Sequence, residues 1–92
     1  MSVRNEYEEQ VRAWGFDRVF TWSDSPNTHY QPHSHDKLTT HLIIEGDLTL
    51  WYPREENSQK QLFGVGSRVD VEAGRVHEVI VGNKGCTMII GE

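Results

Sequence analysis

Three of the five histidines in this 92-residue chain fall in one short run, His33-Ser34-His35-Asp36-Lys37-Leu38-Thr39-Thr40-His41. Histidines at i and i+2 project to one face of an extended backbone, because side chains alternate along a strand with period two. Two such imidazoles can grip a single metal ion, and they are largely neutral at pH 7, so binding needs little prior loss of a proton. His77, further along, is an available partner. His29 shares parity with Gln31, His33 and His35 and is a weaker candidate for the same face.

The elements that must position these side chains are short and extended. From Leu38 to Glu45 the run is rich in apolar and β-branched residues; it ends in Glu45-Gly46-Asp47, a turn signal, before a second alternating run from Leu48 to Tyr52. The spacing predicts a hairpin with the histidines at its mouth. Further strands are predicted at Asp17–Ser23, His29–His35, Gln61–Val65, Arg68–Val71, Val76–Val81 and Cys86–Ile90, with Gly, Pro or Asn between almost every pair. The polar stretch Pro53–Lys60 is predicted to be an exposed hairpin tip. Only the N-terminus reads as helix: Val3, Tyr7, Val11 and Trp14 recur at helical spacing, Glu6, Glu8 and Glu9 fill a solvated face, and Gly15 is placed to end the element.

Length and composition narrow the possibilities. The chain is expected to be one domain, residues 1–92, with a helical segment over 1–15 and an all-β barrel or sandwich over 17–92. A net charge of −5, with nine Lys and Arg scattered along the chain, supplies no basic stripe, so nucleic acid is not an expected partner. No apolar run is long enough to span a bilayer, and no secretory leader is evident, so a cytoplasmic location without membrane association is expected. The single cysteine, Cys86, precludes an internal disulfide and reads as a buried structural thiol.

Two motifs in this order resemble those of the cupins, small jelly-roll barrels also described as double-stranded β-helices. The first family motif runs glycine, histidine-x-histidine, glutamate, glycine; here His33, His35 and Gly46 take their places, with Asn27 at the first glycine and Thr39 at the glutamate. The second runs glycine, proline, glycine, histidine, asparagine; here Gly66, Gly74 and His77 match, with Glu72 and Val81 at the proline and asparagine. The likeness covers residues 27 to 83. Asparagine tolerates positive φ, so Asn27 is a mild departure, and Glu72 and Val81 alter a turn and a packing contact.

The resemblance implies an all-β cupin-type jelly roll with a short N-terminal helix, and it implies a divalent metal held by His33, His35 and His77. Thr39 removes the carboxylate that completes the site in most metal-binding members. His41 is two residues on, with the same parity, and its imidazole is positioned to reach an ion about 3.3 Å per residue deeper. An all-imidazole set of His33, His35, His41 and His77 suits zinc, iron, nickel or copper better than magnesium or calcium, and it favours an anionic ligand.

The family likeness further implies a small-molecule ligand or substrate and a homodimer. A second ground for the dimer is the opposite face of the same strand, Leu38, Thr40, Leu42 and Ile44, which is apolar enough to need cover by another sheet or a second subunit. Two functions follow: a metal-dependent enzyme, such as a dioxygenase or isomerase, or a non-catalytic module that binds or senses a small ligand or metal. No catalytic residue is assigned. Glu45 and Glu78 are expected to face away from the histidines, and Trp22, Trp51, Tyr30 and Tyr52 to pack in sheets, with Tyr30 or Trp51 able to edge a pocket.

Overall fold

The computed structural model describes residues 3–92; the expectations for residues 1 and 2, and for the side chain of Val3, lie outside the described residues. One helix, α1 (Val3–Ala13), precedes six strands: β1 (Val19–Asp24), β2 (His29–His33), β3 (Thr39–Trp51), β4 (Gln61–Phe63), β5 (Arg68–Val71) and β6 (His77–Gly91). All pairings are antiparallel. The fold is the expected all-β jelly roll with an N-terminal helix.

Its organising pair is β3 and β6, 13 and 15 residues long. The first half of β3 and the last half of β6 pair together, flanked by β5 and β1; the second half of β3 and the first half of β6 pair again, flanked by β4 and β2. Each long strand therefore serves both sheets. The predicted hairpin at Glu45-Gly46-Asp47 does not exist: Leu48–Trp51 continues β3 and pairs with β6 and β4. The turn residues instead form an irregularity where the strand bends between sheets, opposite Gly82 to Gly85 of β6. Gly46 has φ +71°, and a Cβ there would overlap the backbone carbonyl of Gly85. Only glycine fits.

These bends switch parity. Ile43 and then Leu48 and Leu50 point into the barrel on β3; Val79 and Val81, and then Cys86 and Met88, do so on β6. Together with Val69 and Val71 they form the main core.

The outward face of β3 is covered from within the chain. Val11 of α1, fully buried, packs on Leu42 and Ile89, with Tyr7, Trp14 and Phe16 around them. The helix thus covers Leu42 and Ile44 of the face that needed cover, while Leu38 stays 46% exposed. Gly15, at φ +103°, ends the helix as predicted. The acidic run is less passive than expected, because Glu8 accepts a hydrogen bond of 2.7 Å from Thr21 of β1 and pins helix to barrel. No described helix is long and apolar enough to cross a membrane.

Candidate metal centre and its cavity

Among the described residues β2 pairs only with β6 and is an edge strand, which is why Pro32, lacking an N–H, is tolerated in it. It places His33 opposite His77, and their ring centroids lie 4.2 Å apart. His35 follows the end of the strand and is held by its own carbonyl, which accepts from the Gly74 N–H at 2.8 Å. Its ring centroid lies 5.2 Å from those of both His33 and His77. One ring nitrogen from each of the three lies within 4.8 Å of the others, a spacing that could hold one ion.

The tautomers are set by the backbone. Nδ1 of His33 lies 2.7 Å from the Gln31 carbonyl, Nδ1 of His77 3.1 Å from that of Arg75, and Nδ1 of His41 3.1 Å from that of Val69. A carbonyl only accepts, so Nδ1 carries the hydrogen and Nε2 keeps its lone pair. Burial then favours the neutral form of His77, His35 and His41. It lowers His77 to about 4, aided by the neighbouring His33, His35 and His41, against the opposing bond to Arg75. Burial also lowers His35, with His33 beside it, and His41. Donor type, orientation and charge state all suit a transition-metal ion.

The remaining candidates separate. His41 lines the same cavity but stands outside the group of mutually close nitrogens. Thr39, almost fully buried, bonds its hydroxyl to the Lys37 carbonyl and does not line the cavity. His29 is on the outer face, its Nε2 2.5 Å from Oε2 of Glu78. Parity had grouped it with His33, but a register shift between Tyr30 and His33 breaks the alternation, so Tyr30 points inward instead. Glu45 is exposed and Glu78 faces His29, both away from the cavity as expected. Trp51 sits under Lys60 rather than at the pocket edge.

The turn after β5 braces the site. Gly74 holds His35 and the Arg75 carbonyl holds His77. Arg75 itself forms two hydrogen bonds of 2.8 Å to Glu55, and its guanidinium lies 3.4 Å from the Tyr52 ring centroid. The tip at 53–60 is therefore tied to the turn carrying the site rather than merely exposed. Glu72, in the place of the family proline, stays in this turn and pairs with Arg75 at 3.7 Å.

The histidines open into a cavity of about 300 Å3, walled mostly by apolar groups such as Phe20, Leu48, Leu50, Val79 and Met88. Of its other polar lining, Tyr30 is at the pocket as the sequence allowed, whereas Asp24 and Trp22 were missed from sequence. Tyr30 donates its hydroxyl hydrogen to Asp24, and burial together with that bond raises its pKa above 10. The alternation of Phe20, Trp22 and Asp24 along β1 was visible, but nothing local tells that β1 walls the same cavity as β2. Cys86 is buried, and its thiol is pushed up to about 11 by burial and by Asp24 and Asp47, in keeping with a structural role.

No protein-family profile and no curated protein sequence matches the chain. Solved structures do. A cupin-2 domain protein from Shewanella frigidimarina superposes with TM-score 0.66 at 17% identity over 80% of this chain and 67% of its own. The polyketide cyclase RemF from Streptomyces resistomycificus gives 0.66 at 23% identity over 86% of this chain and 56% of its own. An oxalate decarboxylase from Bacillus subtilis gives 0.68 at 16% identity over 78% of this chain but 19% of its own. The chain thus spans little more than half of the cyclase and a fifth of the decarboxylase. Strand order, the bent β3–β6 pair and these superpositions agree: the chain has the fold of the cupin superfamily.

Proposed function

We propose that this protein binds a divalent transition-metal ion, zinc, iron, nickel or copper, through His33, His35 and His77, with His41 as the candidate fourth ligand, and acts on a small, largely apolar organic molecule. The observation that carries the reading is the convergence of three imidazole nitrogens within 4.8 Å on one end of an apolar cavity. When bound, the ion supplies Lewis acidity at that end. The chain's own residues orient the imidazoles through carbonyls, exclude bulk water with an apolar wall, and leave the opposite part of the cavity for the substrate's body. A dioxygenase, isomerase or similar activity fits this arrangement, and the enzymes among the structural neighbours lend support.

The alternative is a non-catalytic module that binds or senses a small ligand or metal. It is favoured by one feature: the close group contains imidazoles only, without a carboxylate that could serve as general base beside the ion.

Metal analysis of protein produced without a histidine tag decides the central point. Stoichiometric metal in the wild type, lost in His77→Ala, is the expected result; a wild type that takes up no metal after reconstitution overturns the reading. Loss of metal-dependent turnover on every small aromatic or aliphatic acid tested, with metal binding intact, selects the binding module.

A further inference from the structure

The polar groups of the cavity share one property: the fixed ones present acceptors. His33, His41 and His77 have their Nδ1 hydrogens on carbonyls, which leaves lone pairs at Nε2. In the remaining polar lining, Tyr30 donates to Oδ1 of Asp24, and the Trp22 indole N–H lies 2.9 Å from the same oxygen and 3.3 Å from the Tyr30 oxygen. The Trp22 and Tyr30 donors are therefore both engaged by one carboxylate oxygen, and His35 adds one ring N–H at the histidine end of the chamber. Oδ2 of Asp24 makes no hydrogen bond to a described residue. The Tyr30 ring stands 6.0 Å from that of His33, so this carboxylate belongs to the same chamber as the histidines.

A chamber with an apolar wall and unengaged acceptors recognises a molecule by the donors it brings. We propose that Asp24 is a ligand-recognition residue, and that the cavity takes a small, largely apolar molecule carrying a hydroxyl or amine that donates a hydrogen bond to the Asp24 carboxylate. Trp22 and Tyr30 hold the carboxylate in place by occupying its first oxygen, and the second oxygen receives the ligand. Aromatic walls at Phe20, Trp22 and Tyr30 fit a flat ring. This inference goes beyond the metal reading and stands or falls without it.

The test compares four matched probes, toluene, 4-methylanisole, p-cresol and 4-methylbenzylamine, titrated by NMR into tag-free protein, first metal-free and then zinc-loaded. A hydrogen bond to a charged acceptor predicts that p-cresol or 4-methylbenzylamine binds about tenfold tighter than toluene or 4-methylanisole. A gain for both marks the shared donor; a gain for the amine alone marks a cationic ligand. Asp24→Asn brings an N–H of its own and is expected to erase the gain and improve 4-methylanisole. Tyr30→Phe frees an oxygen of Asp24 and is expected to keep the preference for donors. Equal affinities across the four probes in the wild type, or the same preference in Asp24→Asn, overturn the proposal. Failure of the metal reading shows separately, as absence of zinc uptake with the donor preference intact.

Discussion

His33 and His77 are cross-strand partners on β2 and β6, with ring centroids 4.2 Å apart at an interplanar angle of 52°. Both direct Nδ1 at a backbone carbonyl two residues before them. The two imidazoles are thus presented as a fixed pair before any ion arrives.

Removing a member of that pair should cost far more metal affinity than removing His41. His33→Ala and His77→Ala are expected to weaken zinc binding at least about 100-fold, and His41→Ala about tenfold, the range seen when a supporting contact is lost. Competition with a chromophoric chelator measures both. Equal losses at all positions would make His41 a full ligand.

Acid should destabilise the metal-free protein through these same groups. The folded state holds His77 at about 4 against an ordinary 6.5, and lowers His35 and His41 as well, so the unfolded chain binds more protons between those values. Stability is then complete above pH 6.5 and declines as pH falls toward about 4. Thermal midpoints of stripped protein taken across this window should drop, and His77→Gln should flatten the slope; a wild-type midpoint that stays level from pH 7 to pH 4.5 contradicts the buried-neutral assignment.

The Arg75–Glu55 fork should matter to metal more than to folding. Arg75→Ala releases the 53–60 tip from the turn whose carbonyl orients His77, and a loss of up to about tenfold in metal affinity is expected. Arg75→Lys should not restore it, because an ammonium cannot reproduce the two-pronged bond. Chelator competition paired with urea unfolding separates the two effects: a fall in stability that accounts for the whole loss of affinity would reduce Arg75 to scaffold.

Two glycines with positive φ should respond differently. Gly46→Ala drives a methyl into the Gly85 carbonyl at the bend of β3, and backbone strain with a forced shift should cost about 3 kcal/mol or more. Gly15→Ala meets nothing within 4 Å and should cost about 1 kcal/mol, from the left-handed conformation alone. Urea midpoints of the two variants rank them directly.

Much of the site was legible because it rests on short-range parity and on motif spacing: His33, His35 and His77 come together as expected, and Asn27 adopts the positive φ, 64°, that its place in the motif requires. What failed was parity carried across irregularities. Glu45-Gly46-Asp47 has the chemistry of a turn, yet the partner of Leu48–Trp51 lies on β6, so the strand bends and continues. His29 was lost to the register shift before His33. Asp24 was missed because its neighbourhood depends on β1 pairing with the end of β6, about 62 residues away along the chain. The helix as cover for Leu42 was likewise a long-range fact, although its apolar stripe was plain.

The sharing of β3 and β6 between both sheets also bears on the order of assembly. Their pairing joins residues 39–51 to residues 77–91, a long loop to close before any contact rewards it. His33 and His35 become neighbours of His77 only once β2 has docked on the same β6. An ion meeting the unfolded chain therefore finds only the local histidines of residues 29–41, and the His77 imidazole arrives with the barrel. Metal uptake, as proposed, is expected to follow folding, and a chelator should empty the site without unravelling the chain.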